Sequence, residues 1–229
     1  GHQEPSRKRK REKEPGGKDC LQPASKIVVE QEFPKAGVKF SWIVDEFIPV
    51  ICGGRDVIKD MTTDEVLQKF TKALTANDKC SYCHKLQKEN HWAYRAKANA
   101  FVSHAFTYKF LDAVAALEDH FKDKRDEAVV WWDLFSINQH IDNDWSIDWL
   151  KTTFKSAIED IGRVVMVMSP WNRPVTFERA WCVFEVYCAI DTGADFQIAL
   201  SQKARDQFME DFQKKREEAI DSMLAEVRA

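Results

Sequence analysis

The chain has 229 residues, 44% of them apolar and 31% charged, with a formal net charge of −3. That is enough for one good-sized domain plus an extension, with ordinary globular composition and no global field to attract nucleic acid, so no specific nucleic-acid partner is expected. No run approaches the roughly 20 apolar residues of a membrane span, so no membrane partner is expected either.

Residues 1–25 combine Pro5, Pro15, Gly16, Gly17 and Pro23 with the basic run Arg7–Arg11 and almost no large apolar residues. This predicts a disordered, solvated tail; the alternative for the run is a nuclear address or a weak anion-binding arm. The start is basic and then polar, without the apolar centre of a secretory signal. The six cysteines (20, 52, 80, 83, 182 and 188) do not resemble the framework of a small secreted domain and read as mostly reduced. The expected location is therefore cytoplasmic, with the nucleus as the alternative through Arg7–Arg11.

Residues 26–98 read as an extension packed on a main domain over 99–229. Ser41 to Cys52 is dense in Phe, Trp, Ile and Val and must pack on something. Gly53-Gly54 marks a turn. A helix begins at Thr63, capped by Thr62 or Thr63, with Val66, Leu67, Phe70 and Leu74 at helical spacing. Cys80-Ser81-Tyr82-Cys83-His84, with His91 beyond, leaves two readings open, a zinc site or two ordinary thiols in a turn.

From Asn99 strands and helices alternate. Ala100 to Val102 is a strand ending at Ser103-His104, and Phe110 to Phe121 an amphipathic helix. Ala128 to Trp132 is a second strand ending at Asp133, and Leu134 to Ser146 a polar loop in which His140 organises hydrogen bonds. A helix over Leu150 to Ile161 closes at Gly162. Val164 to Met168 is the third strand, broken by Ser169-Pro170. A third helix follows, then a strand over Phe196 to Leu200. A charged amphipathic helix runs from about Ala204, with Phe208, Phe212, Ile220 and Leu224 on its apolar side. This order predicts an α/β fold with a parallel sheet and helices on both faces. Ligands in such sheets bind beyond the C-terminal strand ends, where Ser103-His104, Asp133 and Ser169 converge.

Glu185 lies in the third helix, and its neighbours three and four residues away are Trp181, Cys182, Cys188 and Ala189. A carboxylate among four apolar residues must be paired, protonated or lining a pocket. One reading is a structural pair with Arg179 or Arg173. The other is a carboxylate that supports a sugar as its glycosidic bond breaks, with Phe106, Trp132, Phe135, Trp171 and Trp181 as flat surfaces for a base or nicotinamide ring. The chain contains no GxGxxG, no GxxxxGK[ST] and no GxSxG, which argues against ordinary dinucleotide binding, P-loop hydrolysis and hydrolases of the nucleophile-elbow type.

Five segments carry a resemblance: Phe101-Val102-Ser103-His104, Trp131-Trp132-Asp133, Ala157-Ile158-Glu159-Asp160-Ile161, Val164 to Pro170, and Trp181-Cys182-Val183-Phe184-Glu185. Over residues 99 to about 200 they resemble the Toll/interleukin-1 receptor (TIR) domain family, the last segment matching its W-C-x-x-E signature. The resemblance implies a flavodoxin-like sheet of order 2-1-3-4-5, here without an evident fifth strand. For the enzymatic branch it implies cleavage of NAD+ at the nicotinamide–ribose bond, with Glu185 catalytic. Ser103, His104 and Ala105 and the loop after the second strand would contact the nucleotide. The alternative is a catalytically silent TIR-like module that binds partners or senses a nucleotide. NAD+ would be substrate, with no cofactor required and no metal. Self-association through the loop after the second strand is also implied. His104-Ala105-Phe106 and the loop from Leu134 to Ser146 differ from the family's usual pattern.

Overall fold

A computed structural model of the chain describes residue 1 and residues 34–141, 148, 150–172 and 174–228. The expectations for the tail, Arg7–Arg11, Cys20, Arg173 and the loop over 142–146 lie outside the described residues, as do those for the side chains of Ile220 and Leu224.

The fold is α/β, built on one six-stranded mixed sheet with helices around it. The strands are β1 (Ala36–Lys39), β2 (Arg95–Lys97), β3 (Ala100–Ser103), β4 (Val129–Trp131), β5 (Arg163–Val167) and β6 (Asp195–Ala199), in the order β2-β1-β4-β3-β5-β6. Neighbours from β4 to β6 pair in parallel, whereas β1 runs antiparallel to both β2 and β4.

This order corrects the expected 2-1-3-4-5. No fifth parallel strand follows β6 among the described residues; the chain turns instead into a long helix, Gln202–Arg228. Growth occurs at the other edge, where β1 and β2 come from the segment before β3. The chemistry of β1 explains how it docks. A Cβ added at Gly37 would lie 2.4 Å from the Val130 carbonyl oxygen, so only glycine lets the two backbones approach this closely. Gly37→Ala is therefore expected to lower stability by about 1–3 kcal/mol. Urea unfolding checks this, and an unchanged midpoint would place the backbone contact elsewhere.

The helices are α1 (Phe40–Trp42), which widens into Ile43–Ile51, α2 (Arg55–Ile58), α3 (Thr63–Val66), continued by Leu67–Lys72, α4 (Tyr82–Lys88), α5 (Phe110–Phe121), α6 (Asp133–Ser136), α7 (Lys155–Ile161), α8 (Ala180–Thr192) and α9 (Gln202–Arg228). Thr62 caps α3 through a reciprocal box: its hydroxyl accepts from the Glu65 N–H at 3.2 Å, and its own N–H donates to Glu65 at 2.7 Å. Gly162, at φ +77°, ends α7 in the left-handed region.

The central strands β3, β4 and β5 are buried on both faces, as parallel strands flanked by helices are. Alternation along β3 sends Ala100 and Val102 to one core and Phe101 to the other. The first core joins α5 and the segment before β3: Phe40, Phe47 and Ile48 pack with Phe110, Trp132 and Phe135. The second holds Phe101, Phe154, Ile158 and Cys188 under α7 and α8, with Phe101 stacked on Trp131 at 4.5 Å. The aromatic density of residues 41–52 is thus spent inside the main core. No described helix is long and apolar enough to cross a membrane.

Candidate active site at the strand ends

β3 ends on Ser103, and α8 begins just after Arg179, so two polar segments meet above the parallel strands. Ser103 Oγ donates to Glu185 Oε2. Arg179 Nη1 and Cys182 Sγ both donate to the His104 carbonyl, at 2.9 and 3.4 Å. The Arg179 guanidinium also lies over the Phe106 ring, 5.5 Å from its centroid. The helix that carries Glu185 is therefore tied to the end of β3 by three separate side chains.

His104 is only 3% exposed. Its Nδ1 accepts a hydrogen bond from the Trp132 indole N–H at 3.1 Å. An indole can only donate, so the imidazole proton sits on Nε2. Burial and the Arg179 charge hold the ring's pKa down at about 3. The approach of Asp133 Oδ1 to Nδ1 at 3.8 Å is thus a contact with a neutral ring and not an ion pair. The Nε2–H and the Thr176 hydroxyl are both buried without a hydrogen-bond partner among the described residues. Unmet donors of this kind are costly in a closed interior.

Glu185 is 4% exposed. Burial pushes its pKa up to about 8, against the Ser103 hydrogen bond; Asp133 adds to the rise, while Arg179 and the Cys182 thiol oppose it. Asp133, whose side chain is 22% exposed, is likewise raised by burial to about 7, opposed first by the Leu134 N–H. Two carboxyl groups thus share one field and titrate near neutrality, with Arg179 as the cation acting on both. Burial pushes the Cys182 thiol to about 12, so it stays a neutral donor.

The structure brings together Glu185, Ser103, His104, Trp132 and Asp133, with the Phe106 ring edge-to-face on His104 at 5.0 Å and beneath Arg179. Other expected residues lie elsewhere. Trp171 packs on Phe208 at 4.9 Å, Trp181 on Phe154 at 5.0 Å, and Phe135 on Phe47 at 4.9 Å. Trp132 is fully buried and stacked on Phe110, so its ring face belongs to the core. Ala105 is buried and contributes a carbonyl to the Tyr108 N–H at 2.9 Å. Ser169 meets the cluster's border through its N–H, which donates to the Tyr108 hydroxyl at 3.4 Å, as the Thr176 N–H does at 3.3 Å. His140 does organise its loop: its N–H donates to Asn138 at 3.0 Å, and its ring lies 2.8 Å from Thr75 Oγ1.

No Glu185–arginine ion pair forms among the described residues; Arg179 spends its hydrogen bond on a carbonyl instead. Tyr108 and Thr176, which frame the cluster, carried no signal in the sequence beyond being polar near strand ends. The five described cysteines are unpaired thiols, and no described group of Cys, His, Asp and Glu could hold a metal. Cys83 is buried with its thiol toward the Ala36 carbonyl at 3.6 Å, while His91 stacks on Tyr94 at 5.9 Å. Comparison with protein-family models, with curated proteins and with solved structures returned no match.

Proposed function

We propose that the chain is a TIR-like domain that cleaves NAD+ at the nicotinamide–ribose bond, with Glu185 as its catalytic carboxyl. The observation that carries this reading is the Ser103–Glu185 hydrogen bond at the C-terminal end of β3, in a cluster whose two carboxyls titrate near neutrality. The four mutually parallel strands, in the order β4-β3-β5-β6, support a flavodoxin-like arrangement with two strands added at one edge.

In the reaction the C1′–N bond breaks and nicotinamide leaves with the bonding electrons. Ionised Glu185 supports the positive charge that develops at C1′. Water then attacks C1′ and yields ADP-ribose plus a proton; an internal nucleophile yields a cyclised product instead. NAD+ is the substrate, and no added cofactor takes part. Self-association through the loop after β4 would complete the site with a neighbouring chain. Incubation with NAD+ and chromatography should detect nicotinamide from the wild type and at least a 100-fold lower rate from Glu185→Ala, about the size of a lost transition-state charge contact.

A second reading has its own observation. Ser103, His104 and Glu185 are each at most 4% exposed, so the strand-end cluster is closed to solvent, and Trp171 packs on Phe208 instead of facing it. That closure favours a non-catalytic interaction or nucleotide-sensing module, in which the cluster serves as a buried pH-sensitive joint. Wild type that releases no nicotinamide at high protein concentration, with crowding agents present, would select this reading.

A further inference from the structure

A second site lies beside the antiparallel edge of the sheet. A cavity of about 850 Å³ opens there between β1, β2, α4, α6 and residues 152–156. Its size falls within the roughly 300–1,000 Å³ of small-molecule sites. It shares no lining residue with the Ser103–Glu185 cluster.

The lining is chemically one-sided. Lys35, Arg95 and Lys97 contribute cationic side chains, and Ser136, Thr153 and Ser156 contribute hydroxyls. No aspartate or glutamate lines it among the described residues. Arg95 and Lys97 are two residues apart on β2, so both project from one face of the strand. Asp160, outside the lining, pairs with Lys35 and also feels the charge of Lys97, while Arg95, its guanidinium 6.0 Å from the Trp92 ring centroid, has no ion-pair partner among the described residues. The Arg95 Nε is buried and has no hydrogen-bond partner among them either. A guanidinium N–H withdrawn from water without an acceptor is unfavourable. The one thiol in the wall adds no opposing charge: burial pushes Cys83 up to about 12.

We propose that this cavity binds a phosphate-bearing small molecule of nucleotide size. Arg95 would take the phosphate oxygens through its planar fork, Lys97 would add a second positive charge, and the hydroxyls of Thr153 and Ser156 would donate to the remaining oxygens. The short helix α6 connects the two sites, with Asp133 at its start and Ser136 at its end. A ligand here therefore touches the element that carries one carboxyl of the strand-end cluster.

Isothermal titration at low ionic strength with sodium pyrophosphate, and separately with ADP, tests the assignment. One equivalent of either is expected to bind, with affinity falling at least about tenfold in Arg95→Gln, the loss of one charge-assisted bond pair. ADP binding tighter than pyrophosphate identifies a nucleotide ligand; equal affinity identifies the phosphate group alone. Ser156→Glu places a carboxylate in the wall at an exposed helix position and is expected to abolish binding without loss of fold, which covers the case in which Arg95→Gln misfolds. Pyrophosphate contains no nicotinamide, so the outcome does not depend on NAD+ cleavage at Glu185. No binding of either probe at millimolar concentration, or binding left unchanged by both substitutions, would overturn the proposal.

Discussion

Glu185→Gln is expected to stabilise the protein at pH 8, relative to its effect at pH 5, by about 2–4 kcal/mol. The carboxyl moves from an ordinary 4.5 in the unfolded chain to about 8 in the folded one, chiefly through burial. Between those values the unfolded state has released its proton while the folded state keeps it. Stability contributed by this group is therefore present at low pH and lost as pH rises toward 8. Gln does not titrate, and its carbonyl oxygen still accepts from Ser103, so the variant escapes the loss. His104 works in the opposite direction: with its folded pKa down at about 3, its contribution is full above 6.5 and falls as pH drops. Asp133, raised to about 7, adds to the loss as pH rises, so wild-type stability should be greatest at about pH 4–5, with the alkaline flank shallower in Glu185→Gln. Urea unfolding across pH 4 to 9 measures the alkaline flank. Wild-type and variant curves that stay parallel would mean that Glu185 is already ionised at neutral pH.

Phe47→Ala is expected to cost about 3–5 kcal/mol, in the range of buried phenylalanine truncations. Phe47 is fully buried and lies against Trp42, Tyr82, Phe110 and Phe135, with ring centroids 4.9 to 6.2 Å away. Three of these partners belong to different segments of the fold: Tyr82 to the stretch before β3, Phe110 to α5, and Phe135 to the turn after β4. The segment before β3 and the strands after it therefore share one core, and the loss should appear as a single earlier unfolding transition. A separate early transition, with the remainder unchanged, would show that the preceding segment folds independently. The same geometry gives that segment a structural role, because Val38 and Lys39 pair with Val130 and Val129 at the edge of the sheet.

Much of the fold was legible because its signals are local. Gly162 after Ile161 marked the end of α7, and the threonine before Asp64-Glu65 marked a helix start. Apolar runs at Val129 and Val164 marked the strands. That the segment before β3 could supply an edge strand was one open possibility, but which residues form the edge was not legible. Ala36–Lys39 is four residues long and owes its place to the absence of a side chain at Gly37, which no periodicity reveals. Asp133 to Ser136 reads as part of a polar loop, yet Leu134 and Phe135 pull it into a buried helical turn.

The candidate site divides in the same way. Glu185 stood out because a carboxylate among apolar neighbours must be accounted for, and its partner Ser103 lay at a strand end. The aromatic residues were harder to place. Trp171, Trp181 and Phe135 suit a ligand surface by type alone, but each packs on a neighbour distant in sequence: Phe208, Phe154 and Phe47. Arg179 was legible as a cation near Glu185; its choice of the His104 carbonyl over the carboxylate depends on tertiary geometry.

The most direct test follows nicotinamide release from NAD+ by the wild type and Glu185→Gln between pH 6 and 9. If ionised Glu185 supports the breaking bond, wild-type release rises roughly tenfold per pH unit until the carboxyl, raised to about 8, has titrated, while Glu185→Gln stays near background throughout. Release that persists in Glu185→Gln with the same pH profile, or its complete absence from folded wild type at every pH, would contradict the account.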